Sequence, residues 1–255
     1  MTARLKGKVA LVSGGATGMG RAAAQAIAAE GAKVAIVDRN AAGGREAEAA
    51  IRAAGGEAVF IEADVTDEAA VSRAVASAVE RLGPITALFN HAGSIVIKPF
   101  LETTLTDWES LTAINVRSMF LMTKAVLPSM IGAGGGAIVC TSSISAVAAT
   151  PTEVLYDTTK GACHMFARAI AVEFRDKGVR CNAICPGFID TPHGKREVAG
   201  LTKYGVDVSD ATIAMQQGRM GRPEDIAGAV VFLLSEESAF ITGTHLFVDN
   251  GFTAV

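Results

Sequence analysis

Apolar residues fall along this chain in two alternating textures. Short, compact runs rich in Val, Ile and Ala are separated by longer stretches in which apolar and polar positions recur at helical spacing. Val9–Ser13 is the first compact run and predicts a buried strand. Lys33–Val37, Ala58–Glu62, Ala87–Asn90, Ala137–Thr141, Val179–Ile184 and His245–Val248 repeat the pattern. Between them, Arg21–Glu30, Ala41–Ala54, Asp67–Leu82, Leu105–Ile131, Glu153–Asp176 and a stretch near Pro223–Leu234 predict helices. Gly31, Gly55-Gly56, Gly83-Pro84 and Gly178 stand where four of these helices should stop. Crossovers of this length force parallel pairing, and near-continuous apolar strands fit a sheet covered on both faces. The pattern therefore predicts an α/β fold. It is a single doubly wound domain over residues 1–255, with a mostly parallel seven-stranded sheet and helices on both faces. Pro192–Met220 breaks the texture: it is polar, is punctuated by Gly194, Gly200 and Gly205, and reads as an irregular insertion.

Composition narrows the classes. Half of the 255 residues are hydrophobic and 19% are charged, enough apolar material for a large core and too much for a disordered chain. The formal net charge is -3 with no block of like charge, so no basic face is offered to nucleic acid or a membrane surface. The apolar run Val9–Val12 is too short for a signal peptide, and no segment approaches a membrane span. Cys140, Cys163, Cys181 and Cys185 form neither a disulfide framework nor a paired zinc pattern. Reduced, buried thiols in a cytoplasmic protein are expected, with no metal site.

The first strand runs into Ser13-Gly14-Gly15-Ala16-Thr17-Gly18-Met19-Gly20, followed at once by a helix. Such a turn lets a pyrophosphate approach the backbone, and the helix start offers free N–H donors at the positive end of its dipole. Alone, a glycine loop can be an ordinary turn. Asp38 corroborates it: it closes the second strand, 20 residues beyond Gly18, where an acid hydrogen-bonds the adenosine ribose in a Rossmann-like domain. A 2′-phosphate would face this carboxylate, which favours NAD over NADP. Arg39 beside it pulls the other way, since an arginine can neutralise such a phosphate, whereas Thr17 brings no second cation. A solvated strand-end carboxylate is the bland alternative for Asp38.

Tyr156 and Lys160 stand four residues apart on one expected helix, hence on one face. A tyrosine is a poor base at neutral pH, and a nearby ammonium favours its phenolate. The pair resembles the Y-x-x-x-K motif of the short-chain dehydrogenase/reductase family. Ser13–Gly20 is similar to that family's T-G-x-x-x-G-x-G loop, with Ser for Thr. Asn90-His91-Ala92-Gly93 resembles N-N-A-G, with His91 in place of the second asparagine. Thr141-Ser142-Ser143 resembles the catalytic serine segment, 13 residues ahead of the tyrosine. Asn115, Pro186–Thr191 and Val248–Gly251 match further family segments, with Asn250 in place of a glycine. The resemblance runs from Lys6 to Gly251 in the family's order.

The resemblance implies an oxidoreductase that moves a hydride between NAD and the carbinol or carbonyl carbon of a small secondary alcohol or ketone. Tyr156 would exchange a proton with the substrate oxygen. Lys160 would lower the tyrosine pKa and bind the nicotinamide ribose, Ser143 would position the oxygen, and Asn115 would hold a proton-relay water. Cofactor contacts are implied for Gly14, Thr17, Gly18, Met19 and Gly20 in the loop, and for Asp38, Arg39, Asp64 and Val65 at the adenosine end. They are also implied for Asn90, Ala92, Gly93, Thr141, Tyr156 and Lys160, and for Pro186, Gly187, Ile189 and Thr191 near the nicotinamide. Ile95, Ser145, Glu153, Phe188 and His193 are candidate substrate contacts. For Glu153 the competing reading is a helix N-terminal carboxylate. His193 is equally read as a solvated loop residue, and His91 as either a packed side chain or a pH-sensitive contact. Residues 192–220 would form a lid over the substrate. The same family and the apolar Ala162–Phe174 and Leu105–Ile131 helices point to a homotetramer, with Leu246–Val248 and Phe252–Val255 offering a second contact. A dinucleotide sensor without turnover and a methyltransferase are the competing classes. Neither has reason to keep Ser143, Tyr156 and Lys160 together.

Overall fold

The computed structural model describes residues 3–254; Met1, Thr2 and Val255 lie outside them. Seven strands form one sheet: β1 (Val9–Ser13), β2 (Lys33–Asp38), β3 (Ala58–Glu62), β4 (Ala87–Asn90), β5 (Gly136–Thr141), β6 (Val179–Pro186) and β7 (His245–Val248). Their order is β3-β2-β1-β4-β5-β6-β7, and every neighbouring pair is parallel. The connections are helical: α1 (Gly18–Ala29), α2 (Ala41–Ala53), α3 (Glu68–Leu82), α4 (Leu105–Thr112), α5 (Ser118–Gly132), α6 (Val154–Glu173), α7 (Pro192–Lys203), α8 (Asp210–Gln217) and α9 (Pro223–Leu234). The strand order reverses between β1 and β4, and ligands of doubly wound sheets bind outside the strand ends at such a crevice.

Alternation along each strand divides the core into two layers. Leu11, Leu88 and Ile138 point toward α3, α5 and α6, where Val71, Met122 and Ala167 meet them. Ala10, Val12, Ile36 and Phe89 point the other way onto α1, α2 and α9, against Ile27, Ile51 and Val230. All five residues of β1 are buried, which is why its run is uninterruptedly apolar up to Ser13. Each large aliphatic side chain buried this way contributes about 1.5–3 kcal/mol.

Two expected elements differ. Leu105–Ile131 is not one uniform helix: α4 passes through a π-helical turn, Ala113–Arg117, into α5. Such a turn inserts a residue and rotates the helix that follows by about 100°, a phase shift hidden here by the apolar run Met119–Met122, and such turns cluster at functional sites. The expected irregular insertion is in fact largely α7 and α8. Thr191 caps α7, its hydroxyl accepting from the Gly194 N–H at 3.0 Å, with Pro192 in the first turn. Ser209 caps α8 by accepting from the Thr212 N–H at 3.3 Å. Leu201, Val208 and Ile213 bury against Phe188 and Ile144 in a small separate core. Glycines misled the reading. Gly194 sits in the first turn of α7 because a Cβ there would lie 2.1 Å from the Ile189 carbonyl oxygen, a packing demand and not a break.

Candidate active site

A cavity opens at the carboxyl ends of β1, β2, β4, β5 and β6. At one end lies the glycine loop. Gly14 has φ +72°, and a Cβ on it would come within 2.9 Å of the Ala92 backbone, so the turn excludes a side chain. Gly20 packs on the Gly14 carbonyl at a distance no Cβ would permit, holding α1 against the loop. Thr17 precedes α1 without a side-chain cap, and no acid stands in the first helical turn. The helix thus begins with unoccupied N–H donors at the cavity wall. Asp38 closes β2, its two carboxylate oxygens accepting from the Ala16 N–H at 3.0 Å and the Asn40 N–H at 2.9 Å. Arg39 is exposed beside it. Its charge contributes to holding Asp64 below the usual carboxylate range, after the larger effect of the Thr66 N–H and hydroxyl.

The Ser13 hydroxyl at the end of β1 accepts from the His91 and Ala92 N–H groups at 3.0 and 3.2 Å. This ties the β4 exit to the loop. Asn90 faces away from the cavity and donates to the Met119 carbonyl and the Thr123 hydroxyl, fixing β4 to α5. His91 stacks on Phe89 and its Nδ1 lies 3.0 Å from the Thr141 hydroxyl. Burial, with the Lys160 and His193 charges adding, lowers its pKa to about 3, so the ring is neutral at ordinary pH and behaves as a packed side chain.

The other end carries the reactive groups. Ser143 leaves β5 in extended conformation; its hydroxyl accepts from the Ser145 N–H and donates to the Ser145 hydroxyl, both at 3.1 Å. Tyr156 and Lys160 project from α6, with the ammonium 5.5 Å from the tyrosine ring centroid and donating to the Thr141 carbonyl at 3.0 Å. The Ser142 hydroxyl donates to the Lys160 carbonyl, pinning α6 to the end of β5. Asn115 sits inside the π-helical turn. Its amide accepts from the Ser94 N–H at 2.8 Å and donates to the Ser94 carbonyl and Thr159 hydroxyl, joining the β4 exit to α6.

Tyr156 departs from the expected direction: its pKa is pushed up, first by burial and then by Glu197 and Glu153, while the neighbouring Ser143 hydroxyl pulls the other way. Burial depresses the Lys160 pKa for the same reason, an ion being costly in a dry site. The site therefore rests with a neutral phenol.

The glycine-loop residues Gly14, Thr17, Gly18 and Met19 line the cavity, as do Asp38, Arg39, Asp64 and Val65. So do Ala92, Gly93, Thr141, Ser143, Tyr156 and Lys160, then Pro186, Gly187, Ile189, Thr191 and His193. Gly20, Asn90, Asn115, Ile95, Ser145, Glu153 and Phe188 are not part of its wall. Ile95 packs with Leu111 and Leu155, and Phe188 faces the small core beneath α7. Sequence reasoning missed Arg196 and Glu197, which do line it. The signal was the i, i+4 spacing of His193 and Glu197, concealed when residues 192–220 were read as irregular. The His193 Nε2 lies 4.0 Å from the Glu197 carboxylate.

This wall fits a dinucleotide. The uncapped α1 start suits a pyrophosphate, and the Asp38 carboxylate suits ribose hydroxyls. Lys160 and Tyr156 flank the far end. No helix among the described residues is long and apolar enough to cross a membrane, and none of their His, Cys, Asp and Glu side chains cluster as a metal site would require.

The family model described as enoyl-(acyl carrier protein) reductase matches residues 14–253. A 2,5-dichloro-2,5-cyclohexadiene-1,4-diol dehydrogenase of Sphingobium indicum is 41% identical over 253 residues, covering 99% of each chain. A cyclopentanol dehydrogenase of Comamonas testosteroni is 38% identical over 98% of this chain and 99% of its own. The solved structure of a levodione reductase superposes with a TM-score of 0.93 at 33% identity, covering 98% of this chain and 99% of its own.

Proposed function

The chain belongs to the short-chain dehydrogenase/reductase family, an oxidoreductase acting on CH–OH groups, and on that premise we propose that it interconverts a small cyclic secondary alcohol and its ketone using NAD. The observation that carries the reading is the meeting of Ser143, Tyr156 and Lys160 on the wall of the same cavity that holds the glycine loop and Asp38. Relatives named for a cyclohexadiene diol and for cyclopentanol support a ring-bearing secondary alcohol.

The nicotinamide supplies the hydride acceptor or donor. The chain supplies proton handling and position. Hydride leaves a carbinol carbon only as its hydroxyl loses a proton, so a base and an oxygen-positioning donor must flank one oxygen. Tyr156 takes that proton in oxidation and returns it to the carbonyl in reduction. Ser143 donates a hydrogen bond to the same oxygen and holds it against the phenol. Lys160 stabilises the phenolate as it forms, and Asn115 keeps the π-helical turn and α6 in register behind it, beside a relay water. The neutral resting phenol is the form that donates to a ketone, and alkaline solution favours oxidation. Asp38 favours NAD, because its carboxylate would meet a 2′-phosphate with like charge.

Replacing Tyr156 by Phe tests the assignment. The variant should bind NADH as the parent does, read by nucleotide fluorescence, and lose about 10²–10⁴-fold in kcat. A purified variant that keeps most of its turnover would overturn the reading.

A further inference from the structure

Beside the proton-transfer residues the structure holds acids that the proposed chemistry does not use. Thr191 and Pro192 fix the start of α7, and that start turns His193 and Glu197 toward the cavity, one helical turn apart. The His193 ring centroid lies 6.0 Å from that of Tyr156. On its opposite side α7 pairs Lys195 with Asp190, in solvent. Behind the wall, at the start of α6, Glu153 is 1% exposed, and neither of its carboxylate oxygens meets a partner in hydrogen-bonding geometry, the Thr150 hydroxyl lying near enough only to draw its pKa down slightly against burial. It lies within electrostatic reach of both Glu197 and the Tyr156 phenol. A buried carboxyl with no partner is costly, and an unfilled polar demand next to a pocket marks a place for a ligand's polar group.

We propose that Glu197, backed by Glu153, receives a second hydroxyl group of the substrate, so that the substrate class is a cyclic diol and its hydroxyketone. The inference rests on the reading of Tyr156, Ser143 and Lys160 given above. A hydroxyl both donates and accepts, and so does a carboxyl that retains its proton. Burial raises Glu197 to about 7 and Glu153 to about 9, which keeps protons available in this cluster. Asp157, on α6 and raised to about 6, completes the acidic side. An ammonium group is the other chemistry acids invite, and the cavity argues against it. Lys160 and Arg196 lie on the same wall, and burial together with their charges drives His193 down to about 4. A site whose burial, with two cations adding, strips a proton from His193 disfavours a substrate cation for the same reasons.

Steady-state kinetics with NAD decide the matter, using 1,2- and 1,4-cyclohexanediol, cyclohexanol and 2-aminocyclohexanol as probes. The parent should show kcat/KM for at least one diol about tenfold or more above cyclohexanol, since a site built for a hydroxyl discriminates against its absence. Glu197→Leu should cut that diol-to-cyclohexanol ratio about tenfold, and Glu197→Gln, whose amide still donates and accepts, should restore part of it. A parent ratio near one, equal losses on both substrates in Glu197→Leu, preference for the amino alcohol, or no turnover of any diol would each overturn the proposal. None of these results touches the catalytic reading if Tyr156→Phe is inactive on whichever alcohol the parent oxidises.

Discussion

The buried carboxyl of Glu153 ties stability to pH. Burial, with Glu197 and Asp157 adding, raises its pKa from 4.5 to about 9. The folded protein then holds a proton that the unfolded chain releases above about pH 4.5, so stability falls as pH rises between those values. The slope for one such group is about 1.4 kcal/mol per pH unit. Glu153→Gln removes it, and the variant's advantage in Tm over the parent should therefore grow from pH 6 to pH 8. A constant difference across that range would show that Glu153 is not protonated in the fold. At the nucleotide end, Asp38→Ala should narrow the ratio of kcat/KM for NAD over NADP by removing like-charge repulsion. A parent that prefers NADP would show that Arg39 outweighs the acid. Asp38 was legible from its interval after Gly18, and Ser143, Tyr156 and Lys160 from their resemblance to the family's motifs; the structure brings all four to one cavity wall. Glu197 was not legible, because its placement depends on how α7 starts and not on any motif. The raised tyrosine pKa was equally invisible, since a sequence shows the ammonium four residues away but not the burial that outweighs it.

The strand runs and most helices were readable at the scale of elements because continuous apolar runs and period-3.6 patterns are direct imprints of a sheet covered by helices on both faces. The π-helical turn at Asn115 and the helices in residues 192–220 escaped, the first because the apolar run Met119–Met122 hides its phase shift, the second because packing glycines mimic breakers. Those two helices also carry a functional expectation. Their small core of Leu201, Val208 and Ile213 is separate from the two main layers, and the cap of α8 is an exposed hydrogen bond, although that of α7 is buried. Segments resting on few buried side chains open at lower free energy than the sheet they cover. α7 borders the cavity through His193 and Glu197, so its closure would exclude water from hydride transfer. Amide hydrogen exchange across 192–220 should be fast in the free protein and slow severalfold on adding NADH with a ketone product. Strong, equal protection in both states would rule out a lid.

Across the whole molecule, the side chains left uncovered are as informative as those buried. A helix that covers one face of a sheet needs a polar outer stripe, yet Met165 and Val172 on α6 are 61% and 70% exposed, and Phe120 on α5 is 46% exposed. Leu105 and Trp108 on α4, a helix in contact with α6, are also exposed. Exposed apolar side chains gathered on neighbouring helices mark a candidate protein contact, and the assembly proposed here rests on them. Isologous pairing of α4, α5 and α6 with a second copy would cover it, and small residues such as Ala162 and Ala169 on α6 permit close approach. A second uncovered feature is the sheet edge. β7 is one of the two edges of a parallel sheet, its four residues only half-buried, and such an edge invites a partner. Two self-complementary surfaces on one protomer close into a tetramer with dihedral symmetry, whereas the helical face alone closes into a dimer. Light scattering on a size-exclusion column should give four times the 26.2 kDa protomer mass at micromolar concentration. Val172→Glu should break the helical contact and release dimers joined through β7. A parent that runs as an active 26.2 kDa monomer would refute the assembly, and a parent dimer would leave the β7 edge without a partner.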